Sequence, residues 1–323
     1  MTSQAMKLFP TPENPLPSGA ECLELVTADK IRLRALRVVP DEARGTLVLL
    51  GGRGDFLERY FETIRDIAAR GFAVAAVDLR GQGGSQRIAS EPYRDVTRSF
   101  TDFDEDIRTL MDGLVIPTCP PPYYALGHST GGHILLRLVR SSDWFRKVML
   151  VSPLVEILYG PWPRPVVTLL VNGVSLAGLG SWFLPGVRRA PMGRADFPGN
   201  PLTSDQRRWE RDSATLEAAP QLGLGGPTFA WLRAARRSLK EIKVMEKPRV
   251  PVLIVAAGAD RVVGNEGIRR FARNVPGVAL TFIPDSRHEI MSERDEIRQQ
   301  FLAAFDSFIT TADVSGGVAR TPG

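Results

Sequence analysis

Ser129 stands between Gly127 and Gly131 in the pattern G-x-S-x-G, inside the stretch Tyr123–His133. That spacing is the signature of a nucleophile elbow. A serine hydroxyl serves as a nucleophile when a sharp, strained turn holds it out beyond the edge of a sheet. The residues two before and two after then crowd each other, and only the smallest side chains fit. A helix expected over Gly132–Ser141 would aim its free N–H groups at the place where negative charge develops during attack. The apolar residues before the motif and the run Ile134–Val139 after it favour this strand–turn–helix reading over a glycine-rich turn with an idle serine.

A serine nucleophile needs a base, and the base needs a group that orients it. The chain has three histidines. His128 and His133 flank the serine too closely to fold back onto its hydroxyl; His128 is expected to be buried beside the turn. That leaves His288, in a loop after the last expected strand, on the sheet edge where the elbow opens. Asp260 follows the preceding strand through Gly258-Ala259 and reaches the same edge. Asp285 competes for the role, although three residues before His288 it is better placed to cap a turn. The order Ser129, Asp260, His288 is that of α/β-hydrolase folds. For the oxyanion, the expected donors are the backbone N–H groups of Thr130 and of Arg53, in the loop after the strand Gly45–Leu50. Only the backbone of Arg53 enters this scheme, so its side chain is expected to be dispensable for short neutral esters.

These residues need a scaffold. Cys22–Thr27 and Ile31–Val39 alternate as an opening antiparallel hairpin. Gly45–Leu50, Phe72–Val77, Tyr123–His128, Lys147–Val151, Pro251–Ala257 and Val278–Ile283 read as buried strands. Helices are expected over Phe56–Arg70 (with Asp55 as N-cap), Ser99–Leu114, Gly264–Asn274 and Arg294–Thr310. The alternation predicts an α/β fold, a mostly parallel sheet covered by helices on both faces. The rhythm breaks after Ser152-Pro153 and resumes at Pro251. The expected organisation is therefore a core of 1–155 and 248–312, a helical lid inserted at 156–247, and a disordered tail at 313–323. Pro165–Val187 runs 23 residues without a charge, the length of a membrane span. A span there would place Ser129 and the later strands on opposite sides of a membrane, so two short apolar lid helices are expected instead.

Composition narrows the function classes. The 323 residues are 43% hydrophobic and 24% charged, ordinary for a globular protein. Two cysteines, Cys22 and Cys119, argue against a disulfide framework and for a reducing, cytoplasmic compartment. No Cys/His cluster has metal-ligand spacing, so no metal is expected. Met1–Pro17 lacks the apolar core of a signal peptide and reads as a surface arm. Net charge is +5, and it is localised: Ile157–Arg249 holds fourteen Lys/Arg against seven Asp/Glu, leaving −2 for the rest. No nucleic-acid motif accompanies this charge. Arg164, Arg188, Arg189 and Arg194 flank the apolar run Val166–Leu184, which is the composition of a lid that contacts an anionic membrane at its inner face. The alternative is a pocket wall with solvated arginines.

The chain resembles the lysophospholipase L2 and monoacylglycerol lipase branch of the α/β-hydrolases. The resemblance rests on Gly127–Gly131, Asp78-x-Arg80-Gly81-Gln82-Gly83-x-Ser85, Gly258-x-Asp260-Arg261-Val262-Val263 and His288-Glu289-Ile290-x-Ser292-Glu293, and runs from Cys22 to Ile309. It departs at Gly51-Gly52, where such enzymes often carry His-Gly. The resemblance implies hydrolysis of a fatty acyl ester with one chain and no cofactor. The expected activity is that of a serine carboxylester hydrolase, foremost a lysophospholipase. A monoacylglycerol lipase or general carboxylesterase is the close alternative. An aminopeptidase of the same fold would need lid carboxylates for the substrate amine, and a binding scaffold would normally lack a triad member.

Overall fold

In the computed structural model, which describes residues 6–158, 163–243 and 247–311, eight strands form one sheet. They are β1 Glu21–Val26, β2 Arg32–Val38, β3 Thr46–Leu50, β4 Ala73–Val77, β5 Tyr123–His128, β6 Lys147–Val151, β7 Val252–Ala257 and β8 Val278–Ile283. Their order is β1-β2-β4-β3-β5-β6-β7-β8. The β1–β2 and β2–β4 pairs are antiparallel, and every pair from β4–β3 onward is parallel. The expected tail 313–323 lies outside the described residues.

The central strands are apolar on both faces because both are covered. In β3, Val48 and Leu50 pack into one core while Leu47 and Leu49 pack into the other, the two-residue alternation of a pleated strand. One core is closed by α2 (Thr101–Leu110) and α4 (Thr130–Leu138), the other by α1 (Phe61–Ala68) and α9 (Asp295–Thr310). The helix expected over Ser99–Leu114 departs from plan. After α2 the chain enters a π-helical stretch, Met111–Val115, and ends in a short turn, α3, Ile116–Thr118. Gly113 weakens the helix there, and Pro117 has no N–H to donate to a carbonyl of the preceding turn.

Between β6 and β7 the chain forms α5 (Arg164–Leu176), α6 (Gln206–Ala218) and α7 (Phe229–Ile242). Asp205 and Thr228 cap α6 and α7 with side-chain oxygens that accept the N–H of Arg208 and Trp231. The two short helices expected over Pro165–Val187 are one helix, α5. Gly178 and Gly180 follow it into a short extended stretch where Phe183 bridges Thr228, and Pro185-Gly186 then forms a turn. No helix among the described residues is long and apolar enough to cross a membrane. The last α/β unit adds α8, Asn265–Asn274.

Topology sets the site. From β3 the chain crosses to β4 on one side, then returns to β5 on the other. The carboxyl ends of β3 and β5 therefore border the crevice where loops diverge, the place such sheets bind ligands. Arg53 follows β3 and Ser129 follows β5.

Candidate active site

The elbow geometry explains its glycines. Ser129 has φ +48° and ψ −110°, a conformation that non-glycine residues seldom adopt. A Cβ on Gly127 would lie 2.7 Å from the Gly131 carbonyl group, and one on Gly131 would lie 2.4 Å from the Leu50 carbonyl oxygen. The turn is pinned on both sides: Ser129 N–H donates to Val151 O (2.9 Å), and Ser129 O accepts from Leu154 N–H (3.0 Å). Helix α4 starts at Thr130, two residues before the expected start, so the Thr130 N–H is among those with no partner in the helix.

His288 and Asp260 are brought together. The imidazole Nδ1 lies 2.8 Å from Asp260 Oδ2, with both side chains almost wholly buried. The other Asp260 oxygen accepts the N–H groups of Val262 (2.7 Å) and Val263 (3.0 Å), which fixes the carboxylate. Asp285 is exposed in a left-handed turn, φ +58°, so the acid beside His288 is Asp260. Ser129, Thr130, Arg53 and His288 all line one cavity of about 630 Å³. Its remaining wall is largely apolar and is drawn in good part from the segment between β6 and β7, including Val187, Met192, Leu216 and Trp231.

The loop after β3 is held by residues whose roles no local pattern reveals. Gln82 Nε2 donates to Gly52 O (2.8 Å), and Gly54 N–H donates to Gln82 Oε1 (3.1 Å). Gly52 N–H donates to Asp55 Oδ2 (2.6 Å). Arg53 sits between these clamps. Asp55 is thus not the N-cap expected of it: the turn Leu57–Tyr60 and α1 have no side-chain cap, and the Asp55 carboxylate turns back to the loop. Gln82 was visible in the Asp78–Ser85 motif; its purpose appears with the contacts. The Arg53 guanidinium is also engaged. It pairs with Asp95 (3.0 Å), donates to the carbonyls of Gly225 (3.0 Å) and Gly226 (2.8 Å), and lies over Trp231. The side chain thus ties the loop to the segment between β6 and β7.

Behind the elbow lies a buried ion network. His128, buried as expected, has Nδ1 3.3 Å from Asp55 Oδ2 and 3.7 Å from Glu289 Oε2. Burial alone would lower its pKa, but the Glu289 and Asp55 carboxylates outweigh burial and raise it to about 9. The resulting imidazolium donates through Nε2 to the backbone carbonyl of His288 (3.3 Å). Asp55, His128 and Glu289 bring their ligand atoms within 4.8 Å of one another, close enough for a metal. The cation there is already supplied, because Arg59 pairs with both Asp55 and Glu289 (3.5 Å). His133 is set apart from the site. Its ring lies between Leu154 O (2.9 Å) and Ser238 Oγ (2.7 Å), and burial lowers its pKa to about 3.

Comparison with known proteins places this geometry among hydrolases. Residues 41–295 match the family model for serine aminopeptidase, S33. The chain is 26% identical over 282 residues to the probable lysophospholipase L2 of Haemophilus influenzae, covering 87% of this chain and 88% of that one. It is 26% identical over 316 residues to the lysophospholipase L2 of Escherichia coli K12, covering 92% and 90%. A soluble variant of the Saccharomyces cerevisiae monoglyceride lipase, solved with a substrate analogue, superposes with a TM-score of 0.70 at 17% identity, covering 96% of this chain and all of that one.

Proposed function

The chain belongs to the serine aminopeptidase S33 family of α/β-hydrolases, and on that premise we propose that it hydrolyses the acyl ester of single-chain lipids, foremost lysophospholipids. The observation that carries this reading is the buried 2.8 Å contact between His288 and Asp260, in the cavity that Ser129 enters from a strained turn. Ser129 attacks the ester carbonyl while His288 takes its proton. Asp260 holds the imidazole tautomer and stabilises its cation. The N–H groups of Thr130 and Arg53 hold the oxyanion. Water activated by His288 then releases the acid.

The largely apolar cavity suits an acyl chain. The names of the two lysophospholipase L2 relatives favour a phosphate-bearing head group over glycerol alone. An aminopeptidase is disfavoured by chemistry. The carboxylates lining the cavity, Asp55, Asp212 and Glu289, are each paired with Arg59, which leaves none to receive a substrate amine. The inserted segment 156–247 acts as a lid whose outer face meets a membrane peripherally. Its α5 helix supports this: Leu169 and Leu176 are 78% and 77% exposed on a surface helix with little polar cover.

The test is a substrate panel of lysophosphatidylcholine, lysophosphatidylethanolamine, monoolein and aminoacyl-anilides, with fluorophosphonate labelling of Ser129. Release of fatty acid from the lysophospholipids ahead of monoolein is expected. Cleavage of the anilides alone, or folded protein that fails to label, would overturn the assignment.

A further inference from the structure

Helix α7 carries Arg233, Arg236, Arg237 and Lys240, and Lys243 follows at its C-cap. These positions are three, four, seven and ten residues from the first, a spacing that stacks five cations along one stripe. The opposite face, with Leu232, Ala235, Leu239 and Ile242, is buried. Like charges three and four apart on a helix repel. Arg233, Arg237, Lys240 and Lys243 have no carboxylate at ion-pair distance among the described residues, so no ion pair within that set offsets their repulsion.

The stripe lines two adjoining cavities outside the catalytic one. The larger, about 450 Å³, lies between α7 and α8. Its floor is apolar, with Val155, Ile157 and Phe271, and Arg236, Lys240, Lys243 and Arg270 stand on its rim. Glu156, the one carboxylate on its wall among the described residues, pairs with Arg270 at 2.9 Å. The smaller, about 230 Å³, lies between α7 and α5 and shares Arg236 and Lys240 with the first. Its α5 wall is Thr168 and Asn172. The residues three before and four after Asn172 are the exposed Leu169 and Leu176, so the cationic groove runs directly into the apolar face of α5.

Resting on the reading of this chain as a hydrolase that works at a lipid surface, we infer that the α7 groove is a headgroup site for anionic phospholipid in a bilayer. Phosphates lie along Arg233, Arg237, Lys240 and Lys243, and the α5 leucines enter the acyl region. A free anion would fill the groove but leave the leucines in water, and a nucleic acid offers them no hydrocarbon. This places the anionic contact on the grouped cations of α7 rather than on Arg188 and Arg194, which are occupied by Asp196 (2.6 Å) and Glu217 (3.0 Å), or on Arg189, which stands singly. Ile157 lines both the groove and the catalytic cavity, so headgroups held here sit one side chain from the catalytic site.

Co-sedimentation of the full chain with phosphatidylcholine vesicles, with and without phosphatidylglycerol, tests the inference. Wild type should prefer the anionic vesicles and lose them at high salt. Each cation near an anionic surface contributes about fivefold, so Lys240→Gln/Lys243→Gln should lose roughly thirtyfold in anionic binding. Lys240→Arg/Lys243→Arg should retain it, and thermal melting checks that both variants fold. Arg188→Gln should bind as wild type. Undiminished binding by the Gln pair, equal binding to both vesicles, competition by inorganic phosphate at millimolar concentration, or tighter binding to single-stranded RNA would each overturn the site. Wild-type hydrolysis of p-nitrophenyl butyrate is read on the same preparation. Ester turnover without anionic preference removes this groove and leaves the hydrolase reading; anionic preference without turnover does the reverse.

Discussion

Gln82→Met tests how the loop proposed to bind the oxyanion is held. Methionine keeps the length and much of the shape of glutamine but offers neither the donor for Gly52 O nor the acceptor for Gly54 N–H. Each backbone group left without a partner in a buried site costs roughly 1–3 kcal/mol, so the loop will relax rather than bear both losses. Arg53 is the residue between the two clamps, and its N–H moves with them. Loss of one oxyanion donor costs about 10²–10³ in kcat. The bond from Gly52 N–H to Asp55 remains, which holds one side of the loop and places the expected loss at the lower end, about a hundredfold. Because the interaction strengthens only in the transition state, kcat and kcat/KM should fall together while KM for p-nitrophenyl butyrate stays near wild type. Steady-state kinetics, with thermal melting on the same samples, reads both effects. A Gln82→Met enzyme with wild-type kcat and an unchanged melting temperature would refute the clamp. A raised KM at wild-type kcat would place Gln82 in substrate binding instead.

Three further outcomes are expected. Ser129→Ala and His288→Ala should each abolish nearly all esterase activity, and Asp260→Asn should leave a small remainder; full activity in Asp260→Asn beside an inactive Asp285→Asn would reverse the choice of acid. Arg53→Ala strands the buried Asp95 carboxylate and frees the Gly225 and Gly226 carbonyls, which should destabilise the fold by about 3 kcal/mol and lower ester turnover more than tenfold. Wild-type melting and turnover in that variant would return the side chain to the dispensable role. The His128 pKa is raised from the ordinary 6.5 to about 9, so its contribution is full below pH 6.5 and lost as pH rises through 9. The shift amounts to about 3 kcal/mol, so urea unfolding should show stability falling by that order between pH 6.5 and 9.5, and His128→Gln should flatten the slope. His133 works in the opposite sense: its lowered pKa gives stability that is present above pH 6.5 and lost as pH falls toward 3. An equally steep alkaline slope in His128→Gln would assign that loss to another group.

What the sequence made legible was what short-range sterics and chain order constrain. The glycines at 127 and 131 are required by contacts within the elbow and with the end of β3, so their spacing carries the turn. The strand Val278–Ile283 and the strand-to-loop positions of Asp260 and His288 follow from apolar runs ending at polar loops. Helix ends were less legible, because Pro117 and Gly113 act on a hydrogen-bond ladder that apolar periodicity does not register. Least legible were the buried charges. Arg34, in a strand, reaches Glu58 (2.7 Å) and Asp78 (2.6 Å), partners 24 and 44 residues away. His128 meets Asp55 73 residues before it and the carbonyl of His288 160 residues after it.

The same limit applies to the basic excess of the middle segment, where a count of charges is not a count of available charges. Arg208 and Arg211 are spent on Glu62, inside a cluster that also includes Asp205 and Asp295. Arg188 and Arg194 are spent on Asp196 and Glu217. These pairs lie from 8 to 149 residues apart, so the sequence lists the cations without showing which carboxylates reach them. Pairing removes Arg188 and Arg194 from the candidates near the apolar run and leaves Arg189 standing singly, whereas the α7 stripe groups several cations close in sequence. Its spacing was readable all along, but its meaning was not: an exposed stripe of cations on a helix is ordinary until the neighbouring helix is known. Here that neighbour is α5, and its exposed leucines beside the stripe turn a charged surface into an amphipathic one.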